Sequence, residues 1–78
     1  MTDLKKYFKG QPDWVESLAI DSHGELWFYG CPKSEVRNRG MSFDVDDPTV
    51  RSKYSGINLL HLNTSWSESR TNRNENNG

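Results

Sequence analysis

The sequence predicts a small α+β domain: an antiparallel sheet of three or four strands, one or two short helices, and a disordered C-terminal tail. Three observations predict it. Residues 14–30 carry two strand-like runs around an Asp-Ser-His-Gly turn. Leu4, Tyr7 and Phe8 fall at i, i+3 and i+4, the spacing of a helix face. After residue 62 apolar side chains all but vanish.

Taken in order, the first element is a short helix. Thr2 or Asp3 supplies a cap, Lys5, Lys6 and Lys9 lie off the apolar face, and Gly10 and Pro12 end it. The hairpin follows. Leu18 and Ile20 share a face, and Leu26-Trp27-Phe28-Tyr29 places aromatic rings on both faces of the second strand. Asp21 starts the turn by accepting from nearby backbone, and Gly24 supplies a positive φ. Gly30 and Pro32 close the strand, and residues 33–40 read as a polar loop.

Met41, Phe43 and Val45 alternate with polar residues, as in a half-buried strand. Asp46-Asp47-Pro48 has the form of a helix cap followed by proline at the first helical position. It predicts a short helix through Tyr54, stopped by Gly56. Residues 57–62 form a last apolar segment, read as a strand. Residues 63–78 hold five asparagines and one apolar side chain, Trp66. Such a composition does not repay the entropy of ordering. The expected organisation is therefore one domain over residues 1–66 and a disordered tail over residues 67–78.

With 78 residues and a mass of 9.0 kDa, the chain has room for one core only. Its net charge of −1, from 10 basic and 11 acidic residues, argues against binding driven by counterion release from nucleic acid. Cys31 is alone, so no disulfide framework is available. The first ten residues contain no apolar signal segment, and the apolar runs are too short for a bilayer. A cytoplasmic location is expected.

Motifs for chemistry are sparse. Cys31 has no spacing relationship to His23 or His61 that would make a nucleophile–base pair, and one Cys with two scattered His does not close a zinc site. Asp44, Asp46 and Asp47 lack the turn glycine and distal glutamate of a calcium loop, and helix capping accounts for them. The expectation is a non-enzyme without cofactor or metal.

The surplus is aromatic: three Trp, three Tyr and three Phe. Most of these build a core. A sheet covered on one face only, however, would leave Trp27 and Tyr29 exposed opposite Leu26 and Phe28. Trp14, Trp27 and Tyr29, rimmed by Arg37 and Arg39, are therefore the candidate partner-binding residues. The same aromatics with Lys33, Arg37, Arg39, Arg51 and Lys53 offer an alternative, a small nucleic-acid-binding regulator that stacks bases. A second alternative is an oligomeric structural accessory that pairs an exposed edge with its copy.

Pro12-Asp13-Trp14, then Ala19, Asp21, Gly24, Trp27, Tyr29 and Pro32, with a late Trp66-Ser67-Glu68, resembles a pattern among small accessory proteins of tailed bacteriophages. The resemblance covers residues 7–32 and Trp66. Trp27-Phe28-Tyr29-Gly30 with Pro32 also looks like a stretch of a small type I-F anti-CRISPR protein. The resemblance implies a protein of the host-cell cytoplasm that binds and modulates or inhibits a host protein, in host takeover or anti-defence. Residues 33–62 match nothing in that pattern.

Overall fold

The computed structural model describes residues 4–60 and 65–74. Its centre is a four-stranded antiparallel sheet in the order β5-β2-β1-β6, with a two-stranded sheet, β3-β4, laid against it. The strands are β1 (Ser17–Ile20), β2 (Glu25–Tyr29), β3 (Val36–Asn38), β4 (Phe43–Val45), β5 (Ser52–Asn58) and β6 (Thr71–Asn72). The helical content among the described residues is limited to short 3-10 turns, such as Lys5–Phe8, Lys33–Glu35 and Trp66–Glu68. The fold is mostly β.

The β1–β2 hairpin forms as expected, with Leu18 opposite Phe28 and Ala19 opposite Trp27. Asp21 Oδ1 accepts from the backbone N–H groups of His23 and Glu25, at 2.9 and 3.0 Å. Gly24 is required twice over. Its φ is +84°, and a Cβ there would sit 2.5 Å from the backbone nitrogen of Leu60.

Each face of this hairpin is covered by a different layer. On one face Leu18, Ile20, Leu26 and Phe28 pack with Leu4, Phe8, Val15 and Leu59. On the other, Ala19 and Tyr29 pack with Cys31, Val36 and Phe43, and half-buried Trp27, Val45, Val50 and Trp66 lie around them. This double cover explains why all four residues of β1 are buried.

Several expectations are corrected. The N-terminal helix is a 3-10 turn with no side-chain cap; Thr2 and Asp3 lie outside the described residues. Four residues are too few for a stable α-helix, and Gly10 and Pro12 prevent extension. The segment expected as a helix through Tyr54 is strand: β5 begins at Ser52. Asp47 does not cap a helix; its Oδ1 accepts from Thr49 N–H and Thr49 Oγ1 and closes a local turn. Residues 33–40 are not all loop, since Val36–Asn38 pairs with Phe43–Val45. The strand expected from Met41 starts at Phe43, with Met41 64% exposed. The strand expected over 57–62 is partly met at the end of β5; residues 61 and 62 lie outside the described residues.

The largest correction concerns the tail. Residues 67–74 are part of the fold; residues 75–78 lie outside the described residues. β6 pairs with β1, placing Asn72 opposite Ser17. Ser69, 4% exposed, accepts from Ile20 N–H through Oγ at 2.8 Å, and its hydroxyl has the carbonyls of Trp66 and Ile20 as acceptors at 2.7 and 3.1 Å. Arg73 donates to the carbonyls of Gln11, Pro12 and Val15, Arg70 to that of Val36, and Asn72 Oδ1 accepts from Lys33 N–H. The segment is held by hydrogen bonds to other segments' backbone, and polar residues are what that requires.

Candidate partner-binding surface

β5 is the longest strand and lies at the edge of the sheet. Its only partner among the described strands is β2. Gly30 N–H donates to Arg51 C=O at 2.8 Å just before the ladder begins. Antiparallel pairs alternate between hydrogen-bonded and non-hydrogen-bonded types. Pairing of Tyr29 with Ser52 and of Trp27 with Tyr54 is therefore of the non-hydrogen-bonded type. The backbone groups of Ser52 and Tyr54 consequently point away from β2, along the open edge. In such pairs side chains approach closely, and the Trp27 and Tyr54 rings lie 5.6 Å apart.

Around this edge, Tyr54 is 42% exposed and Trp27 half-buried. Arg51 lies over the Trp14 ring at 5.2 Å, and the Lys53 ammonium is 5.8 Å from the Phe28 ring. Both cations are exposed. The edge thus offers aromatic area on the Trp27 side, two positive charges on the Phe28 side, and the outward-pointing backbone groups of Ser52 and Tyr54 between them.

The five residues expected to form one patch are dispersed. Trp14 is half-buried and packs against the Leu18–Phe28 side. Trp27 belongs to the opposite side, beside Tyr54. Tyr29 is 5% exposed, so the expectation that it stands on an open face is corrected: the β3–β4 hairpin covers that face. Arg37 and Arg39 are exposed on and just after β3, and both bind Asp46, Arg37 Nε at 3.1 Å. They are not drawn to the Trp27–Tyr54 pair; the cations nearest that edge are Arg51 and Lys53, on its Phe28 side. Tyr54 is the residue that sequence reasoning missed. Its signal was the run Ser52-Lys53-Tyr54-Ser55, which the Asp-Asp-Pro sequence just before it assigned to a helix.

A cleft of about 420 Å³ opens between β2 and the β3–β4 hairpin. Trp27, Tyr29 and Phe43 form its apolar wall, and Asp21, Asp44 and Asp47 its acidic groups. Burial raises the Tyr29 phenol well above its ordinary pKa, and the charges of Asp21 and Asp44 add to the effect. The phenol is neutral at physiological pH. Thr49 holds the Asp47 carboxyl below its usual range by donating to it from its hydroxyl and its backbone N–H.

Cys31 is 3% exposed, and burial pushes its thiol up, with Glu35 and Glu16 contributing. A buried thiol held protonated is a poor nucleophile. His23 is exposed in the hairpin turn, and His61 lies outside the described residues. Among the described residues no group of three or more His, Cys, Asp or Glu is placed to hold a metal ion, and no helix is long and apolar enough to cross a membrane. Comparison with protein-family models, curated proteins and solved structures finds no match to this chain.

Proposed function

We propose that this chain is a small phage-type protein that binds a host protein and modulates or inhibits it, acting by stoichiometric docking and not by catalysis. The observation that carries the reading is the β5 edge. Tyr54 beside Trp27 on one face of the edge, with Arg51 and Lys53 on the other, combines residue types enriched at interface hot spots with outward-pointing backbone groups. A partner strand added along β5 gains main-chain hydrogen bonds, and the aromatic pair supplies apolar area. The phage setting rests on the sequence resemblance alone.

A tagged protein incubated with bacterial lysate, with and without nuclease, tests this. The expected result is one host protein recovered at near-equal stoichiometry, insensitive to nuclease. Recovery that disappears with nuclease moves the function to nucleic acid, with Arg51 and Lys53 as phosphate contacts and Tyr54 as a stacking platform. A dimeric mass for the purified protein, with no partner captured, favours self-pairing through the same edge.

A further inference from the structure

We propose that the cleft between β2 and the β3–β4 hairpin is a receptor for an arginine side chain presented by the partner protein. The inference rests on the docking reading for the source of the arginine, and on the cleft itself for the chemistry.

Charge comes first. The chain is nearly neutral, yet the cleft is not: Asp21, Asp44 and Asp47 line it, and no Lys, Arg or His does so among the described residues. The arginines of the neighbouring hairpin are both drawn to Asp46. Each of the three cleft carboxylates uses Oδ1 for backbone groups of its own turn or strand. No hydrogen bond engages their Oδ2 atoms among the described residues, so each retains an acceptor.

The second observation is independent of the carboxylates. Tyr29 is 95% buried and lines the cleft, yet no hydrogen bond reaches its hydroxyl among the described residues. No side-chain polar atom among the described residues is both sealed from solvent and without a partner, so the phenol oxygen is open to solvent although the rest of the ring is buried. Since Tyr29 lines the cleft, that oxygen is available to a hydrogen-bond donor entering there.

The walls select the kind of cation. Trp27 and Phe43 present ring surface, and the planar, weakly hydrated guanidinium stacks on such rings better than a compact ammonium does. Phe43 already takes one guanidinium from within the chain, with Arg70 Cζ 5.5 Å from its ring. Five N–H donors in a planar fork match two carboxylates and a phenol oxygen together. A cleft of about 420 Å³ accommodates a side chain of this length. It also borders β5 through Ser52, so a segment docked on that edge can turn an arginine into it.

The test is a titration of the 15N-labelled full chain with acetyl-Gly-Arg-Gly-amide, followed by two-dimensional NMR. Its control is the same peptide with citrulline, which keeps the shape and removes the charge. The expected result is saturable shifts at the Trp27 indole N–H and the Val45 and Ser52 amides. The citrulline peptide should give none. The double variant Asp44→Asn/Asp47→Asn should weaken binding by about tenfold or more, and Tyr29→Phe by a smaller factor. Both variants keep side-chain shape, and an unchanged amide spectrum outside the cleft verifies their fold. Equal binding of the citrulline peptide, shifts away from the cleft, no saturable shift, or undiminished binding by the double variant would each overturn the proposal. Capture of a host protein that is undiminished in that double variant would refute the arginine receptor while leaving the docking reading intact. Cleft binding of the peptide with no host protein captured would do the reverse.

Discussion

The two faces of the central hairpin are built from the same four-residue and five-residue strands, yet they end in opposite conditions. The face bearing Leu18 and Leu26, both 0% exposed, is sealed by Leu4, Phe8, Val15 and Leu59. The face bearing Tyr29 is covered by a two-stranded ribbon whose short strands leave a cleft beside it. Aliphatic side chains from a winding segment fill space around a sheet closely. A ribbon with three-residue strands and carboxylates at its margin does not. One face holds the fold together, and the other, with the adjacent β5 edge, is the surface to which the proposed function assigns recognition.

Mutations on the two faces should therefore differ most. Phe28→Ala in the sealed face, where the ring is 1% exposed, should cost about 3–5 kcal/mol, a large part of the stability of a domain this small. Phe43→Ala beside the cleft, at 8% exposure, should cost about 3 kcal/mol or less, because solvent already reaches the ring. Urea denaturation followed by tryptophan fluorescence gives both values. Equal costs would erase the contrast.

Next in size is the polar anchoring of the C-terminal segment. Ser69→Ala leaves the buried Ile20 N–H without an acceptor and should cost about 1–3 kcal/mol. Arg73→Ala releases three carbonyls of residues 11–15 and should cost about 1–2 kcal/mol. Both should also speed hydrogen exchange at Ile20 and Arg73. If neither changes stability, residues 67–74 contribute nothing to the fold and the expectation of a free tail is restored.

A smaller effect concerns pH. Tyr29 and Cys31 both have raised pKa values in the folded protein. A raised acid stays neutral in the fold while its unfolded counterpart ionises. Its contribution is complete below the unfolded pKa and is lost as pH rises. Stability should thus decline above about pH 8.5–10, where unfolded Cys and Tyr ionise. Tyr29→Phe should remove the upper part of that decline, as measured by thermal melts across the alkaline range. An identical alkaline slope in the variant would place Tyr29 in a more polar setting than described. The smallest expected stability effect is at Tyr54: Tyr54→Ala, on the open edge, should change stability by about 0.5–1 kcal/mol.

How much of this was legible in the sequence depended on the range of the interactions. The Asp21–Gly24 turn was legible because its chemistry is local: a carboxylate two and four residues from the N–H groups it accepts, and a glycine at positive φ. β5 was not. Asp46-Asp47-Pro48 satisfies the local pattern for a helix start, but Asp47 turns to Thr49 instead. Six of the seven β5 residues are polar, aromatic or Gly, so no apolar alternation announces a strand at the edge. The tail was misread because composition measures apolar burial, whereas Ser69, Arg70, Asn72 and Arg73 are secured through backbone groups 34 to 62 residues away. The candidate patch failed at Tyr29 for a related reason. Nothing local says that residues 36–45 fold back over the second face of the sheet.

The central claim is that the β5 edge docks a partner while the sealed face only holds the fold. The most direct measurement is quantitative capture from nuclease-treated bacterial lysate by the wild-type chain and by the Tyr54→Ala/Lys53→Glu variant, after melts have established that the variant is folded. The predicted result is a host protein recovered near one-to-one by the wild type and lost by the folded variant. Equal recovery by both would contradict the claim and remove β5 from the interface.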